Sequence, residues 1–179
     1  MKRIITFLIL MFLFTQAFAM STLNVINTTT HFKLFFYPIV QTPGDCYPQF
    51  RAFNPSGISN YCILDAGLSL SANSFSQLEN YYPGLTATMQ TNPNNTPQNY
   101  GNNLNIIDGY ISALNANWSY FIYKADGGSY GGDGAWVGFS DFYSCHGLPD
   151  GYGNYGTTAT ETFTSFTIGG DRYFVIGEY

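Results

Sequence analysis

Runs of alternating apolar and polar residues recur along this chain, and glycine, proline and asparagine separate them. Two such runs flank Gly169-Gly170-Asp171 near the end of the chain, which predicts a β-hairpin with a tight turn. Residues 118–125 and 135–144 alternate in the same way and predict two more strands. Short strands with turn residues between them predict an all-β fold, an antiparallel β-sandwich, with a barrel as the alternative.

The first half of the chain carries weaker strand signals of the same kind. Residues 23–37 are mostly β-branched, aromatic or apolar up to Pro38, which predicts a first strand that bends at the threonines 28–30 and ends at the proline. Three further stretches contain enough apolar residues or alternation to predict strands, namely 45–53, 61–64 and 67–82. No repeat of roughly 20–50 residues is present, so a propeller or a solenoid is not expected.

Two stretches depart from the strand pattern. Residues 84–105 are rich in Asn, Thr, Pro and Gln and have no apolar period, which predicts a long loop. Residues 106–117 place Ile107, Ile111 and Leu114 at helical spacing. A glycine and several asparagines weaken that helix, so helix and strand are equally compatible with the stretch. We therefore expect little helix in the chain.

The N-terminus has the form of a secretory signal peptide. Two basic residues precede an apolar run over residues 4–14, and Ala17-Phe18-Ala19 is the small-x-small pattern that a signal peptidase recognises. The apolar run is shorter than the roughly 20 residues that a membrane-spanning helix needs. We therefore expect residues 1–19 to be removed and residues 20–179 to form one secreted or periplasmic domain without membrane insertion.

Charge and composition narrow the range of partners. The chain has 9% charged and 18% aromatic residues and a formal net charge of −5, whereas an average globular protein has about 25% charged residues. Nucleic acid and anionic membranes need clustered basic side chains and are not expected as partners. A polar, uncharged and aromatic surface favours contact with a glycan, with another protein or with copies of the same chain. The basic residues beyond the signal peptide are scattered, at Lys33, Arg51, Lys124 and Arg172.

Three cysteines, Cys46, Cys62 and Cys145, lie in the part of the chain that is expected to be exported. In an oxidising compartment two of them are expected to pair. We predict a disulfide between Cys46 and Cys62, because closing that short loop would stabilise the fold by roughly 3 kcal/mol. Cys145 would then be left over, although a pairing of Cys145 with either of the other two stays open.

The glycine-rich stretch DGGSYGGDGAW, residues 126–136, joins two of the predicted strands. Its carboxylates lack the ligand spacing of a calcium loop, and it lacks the lysine of a phosphate-binding loop, so no metal and no cofactor are predicted. Tyrosines held between glycines are the best candidates for exposed rings that stack on sugars. The predicted ligand-binding residues are Asp126, Tyr130, Asp133, Trp136, Tyr152 and Tyr155.

The chain carries no motif of a serine hydrolase or a zinc hydrolase, so catalysis is not expected. The favoured function is a non-catalytic secreted module that binds carbohydrate or another protein through loop aromatics. Two alternatives stay open. A structural or self-assembling protein would use an uncovered or donated strand, for which residues 31–37 are the candidate. A secreted glycoside hydrolase would pair two carboxylates, which could come from Glu79, Asp141, Glu161 and Glu178.

Overall fold

Two β-sheets and two helices make up the part of the chain that the structure describes. This computed structural model describes residues 20–57, 60–125, 135–138, 155–157 and 161–178. The strands are β1 (Leu23–Asn27), β2 (Leu34–Gln41), β3 (Gln49–Phe53), β4 (Cys62–Leu64), β5 (Ser69–Ala72), β6 (Thr86–Gln90), β7 (Gln98–Gly101), β8 (Asn117–Ala125), β9 (Ala135–Gly138), β10 (Tyr155–Thr157), β11 (Glu161–Ile168) and β12 (Asp171–Glu178). The helices are α1 (Phe75–Leu78) and α2 (Leu104–Ala113). Neither of these described helices is long and apolar enough to cross a membrane.

The strands form a five-stranded and a seven-stranded sheet. The first has the order β10-β11-β12-β1-β5, and the second has the order β7-β6-β3-β2-β8-β9, with β4 as a further partner of β2. All of these pairs are antiparallel except β1 with β12, so the prediction of a purely antiparallel fold is wrong at this pair. A parallel neighbour requires a long connection, and the chain between β1 and β12 supplies it. In the described residues neither sheet closes into a barrel.

One hydrophobic core lies between the two sheets. Val25 and Phe174 enter it from the five-stranded sheet, and Phe36, Phe50 and Trp118 enter it from the seven-stranded sheet. Burial of apolar surface stabilises a fold by about 25 cal/mol per Å², so a shared core holds the two sheets face to face. The described chain is therefore mostly β with two layers, which is consistent with the predicted sandwich.

The first predicted strand is in fact two strands, one in each sheet. β1 and β2 belong to different sheets, so the prediction of one strand over residues 23–37 is wrong. The buried Asn27 side chain holds the crossing between them. Its Nδ2 donates to the carbonyl oxygens of Phe32 (2.8 Å) and Leu64 (3.1 Å), and its Oδ1 accepts from the Thr29 hydroxyl (2.7 Å). One amide side chain thus supplies hydrogen bonds where the chain leaves the first sheet.

β2 lies inside the seven-stranded sheet, paired with β8 on one side and with β4 and β3 on the other. The strand therefore offers no free edge, and residues 34–37 are not the uncovered strand that the self-assembly alternative would use. β2 also continues past Pro38, where the sequence predicts an end. Pro38 falls between the residues that pair with β4, 34–36, and those that pair with β3, 39–41. A proline is tolerated in a strand where no ladder hydrogen bond is required of it.

Residues 84–105 do not form a loop, so that prediction is also wrong. β6 and β7 make a hairpin within this stretch, and β6 pairs with β3. Threonine and alanine alternate along β6, and this weak signal is enough for a strand that has a partner on each side. Three of the seven asparagines lie in the turn between the two strands, where Gln90 Nε2 donates to the carbonyl oxygens of Pro93 (3.3 Å) and Asn95 (3.0 Å).

The two helices cover one end of the core. α2 forms where helix and strand were equally compatible with the sequence, and it buries Ile107 and Ile111. α1 lies in the stretch 67–82, so the prediction of a strand there is wrong beyond β5. Ser74 caps α1, because its hydroxyl accepts from the backbone N–H of Gln77 at 3.0 Å. A side-chain cap of this kind competes with continuation of the strand.

Asp108 of α2 stabilises the N-terminus of α1. Its carboxylate accepts from the backbone N–H groups of Phe75 (2.8 Å) and Ser76 (3.0 Å). We expect Asp108→Ala to lower the free energy of unfolding by about 2 kcal/mol, because two helix N–H groups lose a charged acceptor. Chemical denaturation monitored by circular dichroism measures this change.

Asn105→Ala is the matched control for Asp108→Ala. Asn105 lies on the same helix, is exposed, and its Oδ1 accepts from the hydroxyl of Ser76 at 3.0 Å. We expect a loss within about 0.5 kcal/mol, since an exposed hydrogen bond is readily replaced by water. Equal losses for the two variants would contradict a specific role for the Asp108 carboxylate.

Two strand predictions in the second half of the chain are confirmed. β8 coincides with the predicted strand 118–125, and β11 and β12 form the predicted hairpin. Gly169 and Gly170, at its turn, have φ of +61° and +93°, as a two-residue turn with positive φ at both central residues requires. β9 covers the first residues of the predicted strand 135–144, and the remainder lies outside the described residues.

Candidate functional site

The structure does not bring the predicted loop residues together in a described site. Trp136 lies in β9 at the edge of the seven-stranded sheet, and Tyr155 lies in β10 at the edge of the five-stranded sheet; both are placed by backbone register alone. The predicted binding surface of the loop aromatics therefore stays a prediction. The other predicted ligand-binding residues lie outside the described part of the chain, namely Asp126, Tyr130, Asp133 and Tyr152.

A different surface of the described chain has the features of a binding site. Along β3, Phe50 and Ala52 face the core, so the alternating residues Gln49, Arg51 and Phe53 project from the opposite side of the seven-stranded sheet. We call this side the outer face. The register sets Arg51 beside Thr88 and Gln49 beside Gln90 of β6, whose side chains share that face.

These side chains surround a pocket of about 200 Å³ on the outer face. The base of the pocket is sheet, so its position is fixed by the β3–β6 ladder rather than by a loop. Two amides, a hydroxyl and a guanidinium provide hydrogen-bonding groups, and two rings provide apolar surface. The lining residues are Gln49, Arg51, Phe53, Thr88, Gln90 and Pro97.

Three glutamines form a row across the outer face at one end of the pocket. Gln41 of β2 is opposite Gln49, and Gln49 is opposite Gln90. Gln41 is 3% exposed, and its Oε1 accepts from the hydroxyl of Ser119 at 2.5 Å. Its buried Nε2 has no hydrogen-bond partner among the residues that the structure describes. Gln90 is fixed through the two carbonyl oxygens of its own turn, so the row is held in place at both ends.

An aromatic cluster borders the other end of the pocket. The ring of Phe53 lies edge-on to Tyr37 with centroids 5.3 Å apart, and Tyr37 stacks on Tyr61 at 4.0 Å. Burial, and then the neighbouring Tyr61, raises the pKa of Tyr37, while the charge of Arg51 opposes that rise. The Tyr37 phenol is therefore uncharged at neutral pH. The cluster packs Phe53 in one orientation, which pre-organises the wall that a ligand would meet.

Of the described residues that line the pocket, Arg51 alone is charged. Its Cζ lies 5.9 Å from the centroid of the Phe53 ring, within the range of a cation–π contact. Lys33 and Asp65 form an ion pair at 3.0 Å, whereas no carboxylate of the described residues pairs with Arg51. The pocket therefore combines one cation, neutral hydrogen-bonding groups and an aromatic ring.

The predicted disulfide between Cys46 and Cys62 is wrong. Cys62 is a free cysteine, because its position opposite Phe36 in the β2–β4 ladder turns its side chain into the core. Cys46 lies in the turn that follows β2, is partly exposed, and its backbone N–H donates to the carbonyl of Thr42 at 3.2 Å. Burial raises the pKa of the Cys62 thiol well above its usual range. A thiol in this environment is neither a nucleophile nor a metal ligand at neutral pH.

The carboxylates that the glycosidase alternative needs are only partly placed. Glu161 and Glu178 are Cα partners at one end of the β11–β12 ladder, whereas Asp141 lies outside the described residues. Glu79 follows α1, at its C-terminal cap. In the described part of the chain, no group of three or more His, Cys, Asp and Glu side chains is arranged to hold a metal ion.

Sequence reasoning missed the pocket residues, although one signal pointed to them. Alternation along residues 49–53 places Gln49, Arg51 and Phe53 on one face of a strand, and Arg51 is one of few cations. The partners on β6 were hidden, because that stretch was predicted to be a loop. The chain was also compared with known protein families, with curated proteins and with solved structures. None of these comparisons found a match.

Proposed function

We propose that this chain is an exported, non-catalytic β-sandwich module that binds carbohydrate in the pocket on the outer face. The pocket lined by Arg51, Phe53 and the two glutamines 49 and 90 is the single observation that carries this proposal. Its volume of about 200 Å³ lies somewhat below the range of roughly 300–1,000 Å³ of drug-sized ligand sites. A pocket of this size would enclose one or two sugar rings, and further rings of a longer ligand would extend beyond it along the outer face.

The chemistry of the lining supports a sugar more than an apolar ligand. Sugar hydroxyls both donate and accept, and the amides of Gln49 and Gln90 and the hydroxyl of Thr88 do the same. A sugar ring also has apolar C–H faces, which pack on aromatic rings such as Phe53. Because sugar hydroxyls are uncharged, binding of this kind fits a chain with 9% charged residues.

Export is proposed from the sequence of residues 1–19, and one structural observation supports it. Met20, the residue after the expected cleavage point, is buried and belongs to the core. Cleavage after Ala19 would therefore leave a mature chain whose first residue is part of the folded domain. A secreted or periplasmic location would also bring the protein into contact with extracellular glycans.

The pocket is tested by titrating soluble neutral and acidic oligosaccharides in isothermal titration calorimetry. We expect the protein to bind at least one of them, and we expect Phe53→Ala to weaken that binding about tenfold, because the stacking ring is lost. The matched control is Phe166→Ala. Phe166 is also aromatic and 39% exposed, but it stacks on Tyr173 at 5.1 Å on the five-stranded sheet.

We expect Phe166→Ala to leave the affinity unchanged. Equal losses in Phe53→Ala and Phe166→Ala would contradict a site on the outer face of the seven-stranded sheet. An effect of Tyr130→Ala alone would instead support the binding surface that the sequence predicts in the loop at 126–136. Absence of binding to any oligosaccharide would contradict the proposal as a whole.

One observation favours the alternative of a secreted glycoside hydrolase. Glu161 and Glu178 are Cα partners on neighbouring antiparallel strands, which places two carboxylate-bearing residues at one end of the β11–β12 ladder. A retaining glycosidase needs two carboxyl groups about 5 Å apart. Release of reducing ends from a polysaccharide, abolished by both Glu161→Gln and Glu178→Gln, would establish this alternative in place of the non-catalytic module.

A further inference from the structure

Among the described residues, Arg51 lines the pocket without a carboxylate partner. Its guanidinium has no hydrogen bond and no ion pair within the part of the chain that the structure describes. Lys33 differs in this respect, because its Nζ lies 3.0 Å from a carboxylate oxygen of Asp65. The charge of Lys33 is therefore offset by a neighbour, whereas the charge of Arg51 is available to a ligand.

The strands on both sides fix the position of Arg51, although no carboxylate of the described residues neutralises its charge. Its backbone is paired on both sides, with Ile39 of β2 and Thr88 of β6, so its stem leaves the middle of a sheet. The centroid of the Phe53 ring lies 5.9 Å from Cζ, and the Tyr37 ring packs edge-on against Phe53 with centroids 5.3 Å apart. An arginine that is held in this way loses little freedom when it binds, which favours affinity.

A planar guanidinium with several N–H donors fits a carboxylate, which can accept two parallel hydrogen bonds. The remaining lining groups, Gln49, Thr88 and Gln90, are uncharged and suit hydroxyls. We propose that the pocket selects sugars that carry a carboxylate, namely uronic acid units, with the carboxylate on Arg51 and the ring on Phe53. This inference rests on the proposed carbohydrate-binding function.

The net negative charge of the chain cannot attract an acidic sugar, so the selectivity must come from a short-range contact. A formal charge of −5 repels an acidic ligand at long range. At physiological ionic strength such repulsion is screened beyond about 8 Å. The preference for the acid must then come from the short contact with Arg51, and removing that one charge should remove the preference.

The experiment compares trigalacturonate with its methyl ester, which has the same rings and no charge. We expect the wild-type protein to bind the acid about tenfold more tightly than the ester in isothermal titration calorimetry, because one charge-assisted, bidentate contact is gained. In Arg51→Gln, the acid should lose about tenfold in affinity and the ester should change less than about threefold. The two ligands then bind alike.

Lys33→Gln is the matched control, since it removes the same charge at a surface position that is not in the pocket lining. We expect it to leave both affinities unchanged. Arg51→Lys is the second variant, which keeps the charge but loses the planar fork. We expect an intermediate loss for the acid. Thermal unfolding of each variant shows whether it is folded. If Arg51→Gln does not fold, the loss of affinity for the acid in Arg51→Lys tests the role of the guanidinium.

The outcomes separate this inference from the function on which it rests. Equal affinities of the wild-type protein for acid and ester would overturn the inference and leave carbohydrate binding standing. Failure of both ligands to bind would overturn the inference, and failure of every oligosaccharide would overturn the proposed function too. Binding of triglutamate as tightly as trigalacturonate would also overturn it, because that peptide has carboxylates and no sugar ring. An unchanged preference for the acid in Arg51→Gln would exclude Arg51 as its origin.

Discussion

Trp118→Ala is expected to lower the free energy of unfolding by about 4 kcal/mol, because a fully packed aromatic side chain leaves a cavity. Trp118 is 1% exposed and packs on Phe75 of α1, with ring centroids 5.4 Å apart. Its Nε1 donates to the backbone carbonyl of Ser21 at 2.9 Å, so the same ring also ties the N-terminal segment to β8. Chemical denaturation followed by circular dichroism measures the loss.

Trp118→Phe separates packing from the hydrogen bond. Phenylalanine keeps most of the apolar volume but cannot donate to the Ser21 carbonyl, so we expect a smaller loss of about 1–2 kcal/mol. Phe166→Ala, which removes a partly exposed aromatic ring on the outer side of the five-stranded sheet, should cost less than about 1 kcal/mol. A loss below about 1 kcal/mol in Trp118→Ala would contradict the position of Trp118 in the core.

A disulfide between Cys46 and Cys145 is expected to make a large contribution to the free energy of unfolding. Cys62 is free and buried, so in an oxidising compartment the two other cysteines of the chain are left to pair. Cys145 lies outside the described residues. Closing a loop of about 100 residues would stabilise the fold by about 4–5 kcal/mol on the loop-entropy model. We expect Cys46→Ser to lower the free energy of unfolding by about that amount.

Peptide mapping without reduction, on protein produced in an oxidising compartment, tests this pairing directly. We expect a peptide containing Cys46 to be linked to one containing Cys145, and we expect Cys62 to be alkylated only after unfolding, because burial raises the pKa of its thiol. Cys62→Ala is the control, and it should leave the linkage intact. A linkage that includes Cys62 would contradict its position in the core.

The sequence predicted the strands whose signal is local. β8 and the β11–β12 hairpin alternate clearly, and Gly169-Gly170 marks a turn that needs positive φ at two successive residues. α2 was only half predicted, because its helical spacing competes with residues of low helix propensity. Burial of Ile107 and Ile111 against the core decides that competition in the folded chain.

Features that depend on distant parts of the chain could not be predicted. The crossing after β1 rests on Asn27, whose Nδ2 reaches the carbonyl of Leu64, 37 residues away. The β6–β7 hairpin has a weak local pattern and is stabilised by pairing with β3. The side chain of Cys62 points into the core because of the register between β4 and β2. The spacing of the cysteines in the sequence does not predict that register.

The pocket could not be predicted either, because it also depends on the pairing of distant strands. Arg51 and Thr88, or Gln49 and Gln90, become neighbours only when β3 pairs with β6 in one register. The aromatic, weakly charged composition predicts a surface for uncharged ligands, but the candidate rings that the sequence suggests lie in glycine-rich loops and not on β3 and β6. Neutral amides in strands carry no signal of function by themselves, since they are equally common on solvated faces.

Chemical-shift mapping tests the central claim most directly, because it locates a ligand residue by residue. Titration of ¹⁵N-labelled protein with trigalacturonate is predicted to shift the backbone amides of β3 and β6 around Gln49, Arg51, Thr88 and Gln90. It should leave the amides around Phe166 and Tyr173, on the five-stranded sheet, unchanged. Shifts confined to the stretch 126–136, or the absence of any shift at β3 and β6, would contradict a carbohydrate site on this face.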